Sequence, residues 1–422
     1  MVHEITEAKS NYPRFLLLWS GELVSAVGGG LTSFGLSVYV FSETGSAANM
    51  AMVALIAFLP NLLLSVPAGV FADRYDRRLL MMLGDGLSAI GVVYILACMM
   101  TGGAKLWQIC AGVFVSAVFS SLLEPSYRAT VTDLLSEEEY SRASGMVSIA
   151  GSARYLISPL LAGLLLRVAD IRLLLVLDIC TFALTVVCTG IVKRGIGRVA
   201  SPVAEPFGES LRTGWKAITE KRGVFILIMV SSVMTCFMGA LQILAEPLVL
   251  DFRSSTALGI AETVCACGML VSGIYLGTRG IRGNFVRVLS VSLAVAGAAM
   301  VGFGIRENIC IICIFGFLFF ACLPFANNCL DYLVRTNIEA EKQGRAWGLI
   351  GFLSQMGYVV AYGLFGYAAD GIAGAMGVGV GRGAAAVIVI SGFLLAAVAF
   401  ATYRIKCVRG LEHHHEEENA DQ

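Results

Sequence analysis

The chain has 422 residues, 57% of them hydrophobic and only 14% charged, with a mean hydropathy of +0.79. Soluble domains run near 45–50% apolar and about 25% charged, so this composition excludes a water-exposed globule and points to an integral membrane protein. Thirty basic and thirty acidic side chains cancel to a formal net charge of zero, which offers no electrostatic basis for a nucleic-acid partner.

A spanning helix needs about 20 mainly apolar residues. Twelve segments qualify: 15–41, 50–72, 79–101, 107–126, 144–167, 171–192, 224–248, 257–277, 285–304, 307–333, 346–369 and 383–405. The opening "MVHEITEAKSNYPRF" lacks a basic stretch leading into a cleavable apolar one, so no signal peptide is expected. Span 1 carries Glu22. The short gap after span 2, "GVFADRYDRR", holds Gly69, Asp73, Arg74, Arg77 and Arg78. Asp85 enters span 3, Glu124-Pro125 ends span 4, and Asp133 follows in "TDLLSEEE". Span 5 holds Arg154 and "SARYLISPLLAG", with Ser158, Pro159 and Gly163; Asp178 lies in span 6.

Residues 193–222 are polar and rich in Lys and Arg, and read as a linker between a six-helix bundle at 1–192 and a second at 223–406, followed by a polar tail at 407–422. Span 7 carries Gln242 and Glu246, span 8 Glu262, and span 10 Asn327, Asn328 and Asp331. Ionisable groups in spans cost about 2.5–3.5 kcal/mol even on insertion scales, so they face partners or cavities. Asp85 and Asp331 sit near helix ends, where capping or snorkelling accounts for them; Asp178, Glu246 and Glu262 lie toward the opposite ends.

The Lys and Arg distribution orients the chain. With both termini cytoplasmic, 23 basic residues fall inside, 6 outside, and Arg154 alone falls within a span. The halves also repeat. "GVFADRYDRR" returns as "GIYLGTRGIR" 204 residues later, and "EEYSRASG" returns as "EKQGRAWG" at an offset of 203. Tyr155 and Gly163 meet Tyr358 and Gly366 at that same offset. Parallel six-helix repeats with a site at their interface are a transporter architecture.

These residues resemble the major facilitator superfamily over about residues 14–405. Gly69, Asp73, Arg74, Arg77 and Arg78 match its loop 2–3 signature; in the second copy Gly273 and Arg282 persist while Gly277 replaces the acid. "SARYLISPLLAG" is similar to the antiporter motif, with Ser158 in place of the glycine before Pro159. "LWSGELVSAVGGGLTSFGLSVYVFSETGSA" and "DRYDRR" look most like the branch of macrolide-efflux proteins and enterobactin exporters, a drug:proton antiporter type.

The resemblance implies an all-α membrane fold of twelve helices in two pseudo-symmetric bundles, working by rocker-switch alternating access. Asp73 would engage the opposite half near the start of span 11, Arg77 would pair with Asp133, and Gly69 would let spans 2 and 11 approach. Spans 1 and 5 are neighbours in such a fold. Glu22, eight residues past Arg14, and Arg154, twelve past Arg142, are then depth-matched to within about 6 Å and expected to interact. One reading makes Glu22 a proton-binding group; the other makes the two a fixed ion pair. Glu124, Gln242, Glu246, Asn327 and Asn328 line central helices and are candidates for the substrate pathway.

No nucleotide-binding glycine loop or catalytic signature occurs, so neither an enzyme nor a cofactor is expected. The twelve cysteines lie mostly in apolar runs and read as small packing residues; His413 to His415 could bind metal or be an appended, non-native run, and no metal site is expected. The expected protein is a monomer in the cell membrane exporting an amphipathic small molecule by proton antiport. The alternatives are a lysophospholipid flippase of the same fold and a non-transporting receptor or scaffold.

Overall fold

A computed structural model describes residues 11–194, 207–281 and 283–412. All regular structure among them is helical, and twelve helical stretches are long and apolar enough to cross a membrane. The chain divides into two compact units, Met1–Leu36 with Ile56–Ala204, and Ser37–Leu55 with Glu205–Gln422.

The first unit holds most of α1 (Tyr12–Thr44) and α2 (Ala47–Arg74), then α3 (Arg77–Met100), α4 (Leu106–Ser120), α5 (Leu123–Leu134), α6 (Glu137–Leu156), α7 (Ser158–Val168) and α8 (Ile171–Lys193). Spans 4 and 5 are each broken in two. A proline ring collides with the carbonyl four residues back and removes a ladder hydrogen bond. Pro125 and Pro159 lie just past the interruptions at Ser121–Leu122 and Ile157, so each break has a covalent cause.

The second unit contains α9 (Phe207–Glu220), α10 (Arg222–Leu250), α11 (Ser255–Arg279), α12 (Phe285–Ile305), α13 (Ile309–Thr336), α14 (Ala340–Met376) and α15 (Val380–Arg404). Helices α12 and α15 touch through glycines. A methyl group at Gly392 would lie 2.6 Å from the Gly297 carbonyl oxygen, so only a bare backbone fits this crossing. Gly392→Val should therefore lower the stability of the unit by about 1–3 kcal/mol, read as an earlier thermal unfolding midpoint in detergent.

Two stretches read as connectors carry structure of their own. Within 193–222, α9 is an amphipathic helix whose Gly214, Ala217 and Ile218 form a buried stripe packed against α14 and α10. Trp215 meets Phe225 edge to face at 6.3 Å. Lys342 closes the contact, 2.9 Å from Glu339 and 3.3 Å from Glu220, and hydrogen bonds to these two carboxylates push its pKa up. Past α15, residues 406–412 are helical with Val408 and Leu411 buried. Asn337 donates to the Leu411 carbonyl at 3.3 Å, so the start of the expected polar tail is docked. His413 to His415 lie outside the described residues.

The tip of the α1–α2 hairpin, Ser37–Leu55, belongs to the second unit. Asp370 of α14 is the reason. Its carboxylate accepts from Ser46 Oγ at 2.6 Å and from the backbone nitrogens of Ala47 and Ala48 at 2.9 and 3.0 Å. These are orphan donors of the first turn of α2, where the helix dipole favours an anion.

Candidate functional site

The loop between α2 and α3 is organised by its own charges. Asp76 caps α3, accepting from the backbone nitrogens of Arg78 and Leu79, and sits 3.8 Å from Lys193. Arg77 reaches Asp133 of α5 at 2.6 Å, donates to the carbonyls of Ala129 and Ala72, and lies 3.8 Å from Asp73. Arg78 is 4% exposed, whereas Asp73 and Arg74 are exposed. A methyl at Gly69 would meet nothing within 4 Å. Arg282, the second-copy arginine, lies outside the described residues.

The Arg77 and Asp133 side chains are only 17% and 11% exposed, so the pair is better shielded than a surface ion pair, which is worth about 0–1 kcal/mol. A double-mutant cycle on Arg77→Ala and Asp133→Ala should return a coupling energy of about 1 kcal/mol or more in unfolding measurements. A value near zero would mean that the pair contributes nothing beyond solvation of the loop.

The expected ion pair between Glu22 and Arg154 does not form. Arg154 donates to Ser33 Oγ at 3.0 Å and faces Asp178. Ser33 lies eleven residues past Glu22 on α1, about 16 Å further along the axis. Depth counted from flanking arginines misleads here, because α6 begins at Glu137, five residues before Arg142, while α1 begins at Tyr12, two before Arg14. Glu22 is half-buried, and its charged neighbours are acids: Glu124 and Asp85. Glu124 itself is exposed and holds Arg128 at 2.8 Å.

Asp85 and Asp178 are 2% and 1% exposed, so neither snorkels nor solvates a helix end. Asp178 receives the Thr181 hydroxyl at 3.4 Å. Ser158, standing where the antiporter-type motif has glycine, donates to the Val27 carbonyl at 3.0 Å. A methyl at Gly30 of α1 would collide with its side chain; the space that a glycine on α7 would leave is supplied by the glycine on α1. Pro159 and Gly163 are buried beside it.

In the second unit, Gln242 accepts from the Tyr362 hydroxyl at 3.2 Å. Glu246 lies near Ser37 and within electrostatic reach of Glu262. Asn327 and Asn328 are exposed. Sequence reasoning missed Asp370. Its signal was local: an acid at the far end of span 11, and a Ser46-Ala47-Ala48 helix start with free amides awaiting an acceptor.

All twelve cysteines are free thiols, and no group of three or more potential metal ligands occurs among the described residues.

The sequence and the fold are similar to those of known proteins. The Major Facilitator Superfamily model matches residues 18–362. Macrolide efflux protein A of Streptococcus pyogenes is 23% identical over 355 residues, spanning 81% of this chain and 86% of that protein. The Enterococcus faecalis protein of the same name is 24% identical over 321 residues, 74% and 98% of the two chains. Among solved structures, the nucleoside transporter NupG superposes with a TM-score of 0.73 at 12% identity, covering 93% of this chain and all of that one. A bacterial homologue of the lysosomal transporter Spinster gives 0.72 at 14% identity, covering 95% and 98%. The chain belongs to the Major Facilitator Superfamily and is a multi-pass membrane transporter of that family.

Proposed function

We propose that the protein exports a large amphipathic small molecule of the macrolide class in exchange for protons, as a monomer in the cell membrane with both termini cytoplasmic. The macrolide-efflux relatives support the cargo class, and the excess of Lys and Arg in alternate loops supports the orientation. The observation that carries the coupling is Glu22: a carboxyl in span 1 with acids for neighbours and no ion pair among the described residues. A carboxyl placed in a span without a cationic partner is a group that can bind and release a proton, and that exchange is work that a gradient can perform.

Alternating access proceeds by rocker-switch motion, with Gly69, Asp73, Arg74, Arg77, Arg78 and Asp133 as the gating set. The cargo is met by Gln242, Glu246, Asn327 and Asn328, and by Glu124 where the cargo's own cation displaces Arg128. Reconstitution into proteoliposomes with a macrolide panel, with and without an imposed pH gradient, tests the reading. Transport should follow the gradient. Macrolide transport indifferent to it would remove proton coupling, and turnover of lysophospholipids alone would replace the cargo class.

A further inference from the structure

Helices α12 and α15 of the second unit are pressed together at one level and stand apart at another. A methyl at Gly297 would lie 2.7 Å from the Gly392 carbonyl oxygen and 2.8 Å from the Ala396 backbone nitrogen, so the two backbones touch there. Helices that cross at an angle diverge on either side of the contact. Toward the start of α12 and the end of α15, that divergence leaves a cavity of about 400 Å³, a size typical of small-ligand sites.

One face of each helix lines the cavity. Arg287, Ser290, Val291 and Ala294 face it from α12, and Ala396, Ala399, Phe400 and Tyr403 from α15. Both sets follow the spacing i, i+3, i+4, i+7 that gathers side chains on one helical stripe. The floor is small and buried, with Ser290 and Ala399 only 6% and 1% exposed, while Val291 and Phe400 form open apolar walls. Both helices are long and apolar enough to cross the membrane, so the open side of this groove meets lipid.

Its polar groups collect at one end. Arg287 lies in the first turn of α12 and Tyr403 in the last turn of α15, and Ala294 is about 10 Å deeper along the axis. The Arg287 guanidinium and the Tyr403 hydroxyl have no hydrogen-bond or ion-pair partner among the described residues. Arg404 adds a second cation at this end, 4.9 Å from the Phe400 ring centroid. Glu412 is the acid at the start of α12, and it is engaged by the Val286 backbone nitrogen at 3.3 Å.

Cationic and hydroxyl donors at the mouth and hydrocarbon behind them give the groove the polarity of a phospholipid. Basic pockets between spans suit anionic headgroups, whereas a cationic cargo would meet like charge here. We propose that the groove between α12 and α15 holds one anionic phospholipid, its phosphate on Arg287 and Tyr403 and an acyl chain along Val291, Ala294 and Phe400. The lipid fills the gap that the glycine crossing opens, and so braces the second unit.

Native mass spectrometry of the full chain in detergent counts bound lipids as phosphatidylglycerol or phosphatidylcholine with the same acyl chains is added. The wild type should bind one phosphatidylglycerol about fivefold more tightly than phosphatidylcholine, the attraction of one basic residue for an anionic headgroup. Arg287→Gln should abolish that preference and Arg287→Lys should keep it. Ala294→Leu, which narrows the groove, should weaken both lipids alike. Lys216→Gln removes an exposed cation on α9 and should change nothing. Arg287 and Ala294 are themselves exposed, so these variants leave the core intact. Equal binding of the two lipids by the wild type overturns the site, as does a preference that survives Arg287→Gln or disappears in Lys216→Gln. Displacement of the bound lipid by glycerol phosphate would replace it with a soluble anion, and displacement by a macrolide would make the groove a cargo port; either result overturns the proposal.

Discussion

Glu22→Gln is expected to reduce proton-driven macrolide efflux to background while leaving the protein folded and inserted. Glutamine has the shape of protonated glutamate, so it preserves the loaded state and removes only the ionised one. Exchange of labelled for unlabelled cargo at equal concentration, which needs no net proton movement, should survive. That combination separates loss of coupling from loss of binding, since a packing defect would depress both. Efflux that keeps its pH dependence in the variant would remove Glu22 from the mechanism.

The second large effect is expected at Asp370. Its carboxylate takes three hydrogen bonds from the start of α2, two of them from amides that have no partner within the helix. Asp370→Ala should cost on the order of 2 kcal/mol locally, combining a lost cap with lost charge-assisted bonds. Hydrogen exchange at the Ala47 and Ala48 amides should then speed up roughly 30-fold. Asp370→Asn, which keeps one acceptor oxygen, should fall between the two. Unchanged exchange in Asp370→Ala would mean that the clasp does not hold the hairpin tip in the membrane.

The fold was largely legible because its signals are local and additive. Twenty-residue apolar runs mark the spans; the breaks in spans 4 and 5 beside Pro125 and Pro159 were not read from the sequence, because hydropathy does not register a helix interruption. Arg77 and Asp133 were brought together by the family resemblance of the stretch after span 2, and they meet at 2.6 Å between the start of α3 and the end of α5. The buried polar cluster was not legible in the same way. Counting residues along a helix gives depth but not azimuth, and each residue turns the side chain by about 100°. Asp85 was therefore read as capping or snorkelling at a helix end when it is buried on α3, and Arg154 was assigned to Glu22 when it meets α1 three turns further on. The missing part of α9 has another cause: polar composition hid a narrow stripe of Gly214, Ala217 and Ile218 that only packing against α14 reveals. Ser158 shows a third limit, since the glycine that complements it sits on a different helix, Gly30 of α1.

Coupling of macrolide export to proton movement is the central claim, and cargo-induced proton flux tests it most directly. Wild-type protein in proteoliposomes carrying a trapped pH-sensitive dye is given a macrolide on one side, with no imposed gradient. The account predicts that macrolide moving down its own gradient drives protons the opposite way, and that Glu22→Gln abolishes this proton signal. Macrolide crossing the membrane with no change in internal pH would contradict it.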